Sequence, residues 1–234
     1  MTLDTALSAL DESKARWRTL RARGREWRHE PRLTEAFLRA TPSDAVTVTA
    51  SFVGPPVQDE REERWSIWIE RPRRVRAEFV VGAETVAVVF HDDTWWSWAP
   101  ALGARTNGGR RDHGHGTGPV EALIETAALL PVLRFEAAGA GRWLDRPVAH
   151  LRAFPPTPVR LEHAEVLHRL GSGADEYRLT VDLERGILLR VEARSEGRPF
   201  QIVEATQIAF DEDLPASTFE LDLPAGVTFE EGLP

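Results

Sequence analysis

Asp112, His113 and His115 are the only residues of this chain whose types and spacing resemble a metal site. Two imidazoles beside a carboxylate suit Zn or Ni. Gly108, Gly109, Gly114, Gly116 and Gly118 surround them, so the loop lacks rigid support, and neither a metal nor any other cofactor is expected. The run Gly114 to Gly118 has the outline of a phosphate cradle, but it follows a polar Arg-rich loop in place of a buried strand. No P-loop Lys or later ribose-binding acid accompanies it, so it reads as a hinge for a lid. Ser172 between Gly171 and Gly173 reads as a turn, and no Gly-x-Ser-x-Gly elbow is present. Glu62-Glu63, Asp92-Asp93 and Glu230-Glu231 fall in turns or the tail and read as surface charges. With no Cys, the chain offers no thiol nucleophile, thiolate metal site or disulfide. Catalysis has no candidate residue, and the expectation is a protein that is not an enzyme.

The aromatic group Trp65, Trp68, Trp95, Trp96 and Trp98 is more distinctive. Trp65 and Trp96 are expected to face one side of a sheet and their neighbours the other. Such a face either packs against a lid or holds an acyl chain. The candidate ligand-binding residues are Trp68, Trp96 and Trp98 on the sheet, with Leu123, Ile124, Ala127 and Leu130 on a covering helix. Burial of some ten methylenes, at about 0.8 kcal/mol each, offers on the order of 8 kcal/mol before costs.

The elements that must position these residues follow from periodicity. Leu3, Leu7, Leu10, Trp17 and Leu20 recur at helical spacing, which predicts an N-terminal helix over 1–16 and a strand starting near Arg18. Leu33 to Ala40 reads as a short helix closed by Thr41-Pro42. Val46, Val48, Ala50 and Phe52 alternate with polar residues as a half-buried strand. Strands are then predicted at Arg64 to Glu70, Arg74 to Val81, Glu84 to Phe90 and Thr94 to Trp98, a meander of antiparallel neighbours. The stretch Gly103 to Gly118 reads as a mobile loop. Beyond it, Val120, Leu123, Ile124, Ala127, Ala128 and Leu130 form an apolar helix ending at Pro131, within a lid over 119–135. Strands resume at Arg146 to Phe154, Glu176 to Val181, Ile187 to Ala193 and Phe200 to Phe210. The fold class is mainly β (α+β): a large antiparallel sheet that curls into an incomplete barrel, with an N-terminal helix and lid over its concave hydrophobic face.

A chain of 234 residues with 42% hydrophobic content, eight Trp and ten Phe can fill one sizeable core, and no second core boundary appears, so 1–234 reads as one domain. No apolar run is long enough to span a membrane. The first residues lack a basic start followed by an apolar core, so the expected location is cytoplasmic. A net charge of -8 disfavours nucleic acid. Arg16, Arg18, Arg21, Arg23, Arg25 and Arg28 nevertheless cluster against only Glu26 and Glu30, a patch suited either to anionic lipid or phosphate, or simply to a solvated face.

Three segments carry a family resemblance. Ser66 to Pro72, followed by Val75-Arg76, resembles the strand-turn-strand signature of the LolA/RseB-like superfamily, where an apolar strand runs into an Arg-Pro pair. Val89 to Pro100 resembles the family's next hairpin, with Asp93 replacing the turn Gly. Phe219 to Val227 resembles its closing strand, ending in Pro-x-Gly-Val. The segments are in family order over 1–234, with an insertion near 29–64. The resemblance implies an incomplete barrel with a hydrophobic hollow closed by helices. It implies a non-catalytic carrier of a hydrophobic small molecule, lipid or acyl chain; the alternative is a regulatory module that docks a protein partner, as in RseB-type sensors. It also implies that Arg71 latches the lid by hydrogen bonds, where the reading from the residues alone leaves a pairing with Glu70 or Glu78 equally open. The family's carriers work outside the cytoplasm.

Overall fold

The structure is a computed structural model that describes residues 2–40, 58–109, 120–157, 159 and 163–231. The strand expected around Val46 to Phe52 and the loop bearing Asp112, His113 and His115 lie outside the described residues. An N-terminal helix α1 (Leu3–Asp11) is capped by the Thr2 hydroxyl, which accepts from the Thr5 amide, and passes through a 3-10 turn (Glu12–Ala15) into β1 (Thr19–His29). Helix α2 (Glu30–Ala40) follows, then the meander β2 (Glu60–Glu70), β3 (Arg74–Val81), β4 (Glu84–His91), β5 (Thr94–Ala99) and β6 (Gly103–Thr106). After α3 (Glu121–Ile124) and a 3-10 turn (Thr126–Leu129) come β7 (Arg134–Trp143), β8 (Arg146–Phe154), α4 (Ala164–Leu170), β9 (Glu176–Asp182), β10 (Leu188–Ser195) and β11 (Arg198–Phe210). A 3-10 turn (Ala216–Phe219) and the two-residue β12 (Glu230–Glu231) end the described chain.

The twelve strands among the described residues form one sheet, in the order β12-β6-β5-β4-β3-β2-β1-β11-β10-β9-β8-β7. Pairing is antiparallel except for β12, which runs parallel to β6. The long strands β1 and β11 join two meanders, and β12 and β7 remain unpaired with each other, so the sheet curls without closing. One face carries the core. On β1 and β2 the inward set is Leu20, Ala22, Trp65, Ile67 and Ile69, all buried; on β8 to β10 it includes Leu151, Ala153, Tyr177, Leu179, Val191 and Ala193. The short helices fill the concavity, with Leu10, Leu123, Ile124, Leu129 and Leu170 in the same core.

Three predicted elements differ from the structure. The stretch Gly103 to Gly118, expected as a loop throughout, opens with β6, whose Gly103–Thr106 pair with β5. The lid is not one helix over 119–135. It breaks at Glu125 (φ -91°, ψ 52°) into two single turns, and the chain is already in β7 by Arg134. The segment Phe219 to Val227 is not a strand of the sheet. It crosses the outer face against β3 and β4, where the Arg76 guanidinium donates to the carbonyls of Thr218 at 3.2 Å and Glu220 at 2.6 Å. Val89 is 1% exposed on that outer face, which an uncovered strand would leave wet.

Candidate functional site

The lid lies directly on the apolar face. Val120, Leu123 and Ile124 meet Leu20, Ala22, Trp65, Ile67, Ile187, Leu188, Ala205 and Ile208 around an internal gap of about 10 Å³. That volume holds roughly one water-sized probe. The expected hydrophobic hollow is therefore filled, because the lid's own side chains and those of α1 occupy it. Ala127 and Leu130 are half-buried at the lid's outer margin.

Polar contacts hold the lid down at its break. The buried Thr126 hydroxyl sits 2.9 Å from both the Leu10 carbonyl in α1 and the Gly186 carbonyl in the β9 to β10 turn. Glu125 pairs with Lys14 at 3.0 Å, and Glu121 pairs with Arg169 of α4 at 2.9 Å. Burial raises the Glu121 carboxyl above its ordinary value, with Arg169 opposing.

Arg71 stands at the rim where α1, the turn from β2 to β3 and the lid converge. Its guanidinium lies 3.7 Å over the Trp17 ring, not on lid carbonyls. Neither Glu70 nor Glu78 pairs with it: Glu70 is taken by Arg18 and Arg74, and Glu78 by Arg76. Its tie to the lid is charge attraction to Glu125.

The candidate tryptophans do not join the lid residues in one site. Register places Trp68 opposite Arg76, Arg76 opposite Val89 and Val89 opposite Trp96, and paired residues of an antiparallel sheet share a face. Trp98 faces Ala87, which faces Glu78, on that same outer side. Trp65 instead belongs with Ile67 and Ile69 on the inner face, so Trp65 and Trp96 point oppositely. Trp68, Trp96 and Trp98 thus lie half-buried on the outer face, which the C-terminal segment crosses at β3 and β4, away from Leu123 and Ile124.

At the far end of the concave face, Glu26 is 2% exposed and accepts from Arg28 Nε at 2.5 Å and from Gln201 Nε2 at 2.7 Å. Burial raises its carboxyl despite these donors. A second groove, of about 330 Å³, opens on the outer face between Trp143 and residues of β8 to β10. The basic cluster near the N-terminus is largely neutralised: Arg16 pairs with Glu12, Arg18 with Asp213, Arg21 with Glu212, Arg25 with Glu204 and Arg28 with Glu26. Among the described residues no three His, Cys, Asp or Glu converge as metal ligands, and no helix is long and apolar enough to cross a membrane. The sequence reading missed Trp17 as a rim residue and Thr126 as a lid contact; Trp17 was absorbed into the helical stripe, and a lone Thr in an apolar run carries no signal.

An open twelve-stranded half-barrel with lid helices on its concave face defines a class, and the comparisons agree with it. No family model and no curated protein matches the chain. Among solved structures, MucB aligns over 94% of this chain at 16% identity and TM-score 0.55. The MucA/MucB complex of Pseudomonas aeruginosa gives 13% identity and TM-score 0.51. An uncharacterized conserved protein of Thermus thermophilus gives 9% and 0.54, over 99% of this chain and 100% of its own. The chain spans about three-fifths of MucB, 62% of its length. The chain shares the fold of MucB over most of its own length.

Proposed function

We propose that this chain acts over 1–234 as one non-catalytic binding unit, which takes a lipid or acyl chain onto its concave face when the lid lifts. The carrying observation is the lid itself: two single-turn helices, broken at Glu125, cover a continuous apolar surface from Leu20 to Ile208. A gap of about 10 Å³ admits no chain, so a ligand must replace Leu123 and Ile124 against the sheet. Ten methylenes at about 0.8 kcal/mol each supply on the order of 8 kcal/mol to offset that loss. Ala127 and Leu130 move with the lid in this reading, while Trp68, Trp96 and Trp98 serve the outer face. Arg71, beside Glu125, helps to hold the closed state.

The test is gentle purification, organic-solvent extraction and mass spectrometry, with titration of a fluorescent fatty acid. A co-purifying lipid and saturable probe binding are expected. A consistently empty extract together with no probe binding defeats the reading. The second reading, a regulatory module that docks a protein, is favoured by the match to MucB, one of whose structures is a complex with MucA. A stoichiometric partner recovered by pull-down, with no lipid bound, selects it.

A further inference from the structure

Trp17 and Arg71 form a stack that lacks an acceptor. Trp17 is 5% exposed, and its Nε1 is buried with no hydrogen-bond partner. An indole N–H removed from water without an acceptor costs free energy, so its persistence asks for an explanation. Above it sits the partly buried Arg71 guanidinium, five donors that make no hydrogen bond or ion pair among the described residues, with Glu125 acting only at a distance.

The neighbouring cations are different. Trp17 meets Phe210 edge-on, with ring centroids 6.2 Å apart, and Phe210 lies under the guanidinium groups of Arg146 and Arg185. Arg146 is bound by Asp182 and Glu184, and Arg185 by Asp211 at 2.7 Å. Of the cations in this column of stacked rings, Arg71 alone has no anion in contact among the described residues. Burial holds its guanidinium below the ordinary value, with the attraction of Glu125 working against that, which marks a cation short of compensating charge.

We infer that the Arg71 and Trp17 stack is the head-group site for an amphiphile, binding an oxyanion of carboxylate or phosphate type while the acyl chain runs under the lid. Position supports this: Leu20 and Ile208, which line the gap beneath the lid, follow Trp17 and precede Phe210 along β1 and β11. A chain inserted beside them brings its polar end to the rim, where unused guanidinium and indole donors wait. Planar guanidinium forks suit both oxyanions. The inference rests on the acyl-binding reading above.

The experiment is calorimetric titration of the full chain with dodecanoate, dodecyl phosphate and dodecanol, below their micelle concentrations. Wild type is expected to favour an anionic head over the alcohol by roughly ten- to hundred-fold, as hydrogen bonds to charged groups give. The tighter of the two anions identifies the head group. Arg71→Met and Trp17→Phe should remove or sharply reduce that preference, read as the ratio of anion to dodecanol affinity within each variant so that any change in lid closure common to all three ligands cancels, with thermal melts confirming the fold. Trp17→Phe keeps the ring under Arg71, so loss there isolates the N–H donor. Equal binding of alcohol and anions by wild type overturns the head-group site but leaves acyl binding standing, as does an equal loss for all three ligands in Arg71→Met. Absence of binding by every amphiphile removes both this site and the acyl-binding reading.

Discussion

Gly24 sits inward on β1, opposite Trp65 of β2, and the indole occupies the space that a side chain there would need. A Cβ built on Gly24 would stand 2.1 Å from Trp65 Cζ2 and 2.1 Å from the Glu204 carbonyl oxygen. Gly24 is therefore a contact requirement and not a turn residue. Gly24→Ala should destabilise the fold by about 1–3 kcal/mol, the usual range for overpacking. Urea denaturation checks it. Placing the same change in a Trp65→Leu background should recover part of the loss but not all, because the Glu204 carbonyl remains. Strict additivity of the two changes would show that ring and glycine are not coupled. Which tryptophans face inward was not legible beforehand for a related reason. Alternation gives the period of each strand, but only the register across β2 to β5 shows that Trp65 aligns with Phe79 and Val86 whereas Trp96 aligns with Val89.

The lid is where an element's stability depends on one hydroxyl. Thr126 offers a single proton to two buried carbonyls, Leu10 in the last turn of α1 and Gly186 in a turn packed against the same helix. Gly186 cannot retreat or be replaced easily, since a Cβ there would lie 1.8 Å from the Ala9 carbonyl oxygen. Thr126→Val keeps the shape and strands those carbonyls, at about 1–3 kcal/mol for each buried group left unsatisfied. Hydrogen exchange should then rise across 120–133 more than in β10 or β11, and Thr126→Ser should behave like wild type. Uniformly faster exchange throughout the chain would show that Thr126 supports the whole core and not the lid. Elements with strong chemistry were legible from sequence: β3 and β8 match their predicted bounds, and β2, β4, β5, β9, β10 and β11 differ only at their ends. Strand β7 was not, because Arg134–Trp143 is rich in Ala and Gly and largely exposed, with a register shift between Ala137 and Gly139. The continuous lid helix failed because apolar spacing cannot register that a buried Thr binds outside its own turn. The closing segment was recognised by its Pro-x-Gly-Val pattern, yet that pattern does not reveal that it straps the outer face.

Across the whole molecule the two faces of the sheet follow opposite rules. The inner face is apolar and helix-covered, while the outer face of β2, β1, β11 and β10 is a charged ladder: Glu62 to Arg25 at 2.9 Å, Arg25 to Glu204 at 2.7 Å, Arg190 to Glu204 at 2.6 Å and Arg190 to Glu192 at 2.7 Å, ending at Arg194. Of the β1 arginines that looked like part of a basic patch in sequence, Arg21 and Arg25 are rungs of such pairing. The ladder has a pH consequence of definite sign. Burial pushes the Glu192 carboxyl up, but hydrogen bonds from Arg190 and Arg194 outweigh it and hold the group below its ordinary value of 4.5. Glu176, bonded by Arg152, is lowered as well. Carboxyls depressed in the folded state contribute stability above their unfolded value, and lose it as pH falls through the folded one. Glu26 works in the opposite direction: burial raises it, so its contribution is present in acid and declines as pH rises past 4.5. The urea midpoint should therefore drop as pH falls below 4.5, more shallowly in Glu192→Gln, whereas Glu26→Gln should part from wild type above 4.5, losing the stability that wild type gains there on acidification as Glu26 takes up its proton. Parallel curves for wild type and both variants would show that the acid sensitivity of the fold does not arise in these strands.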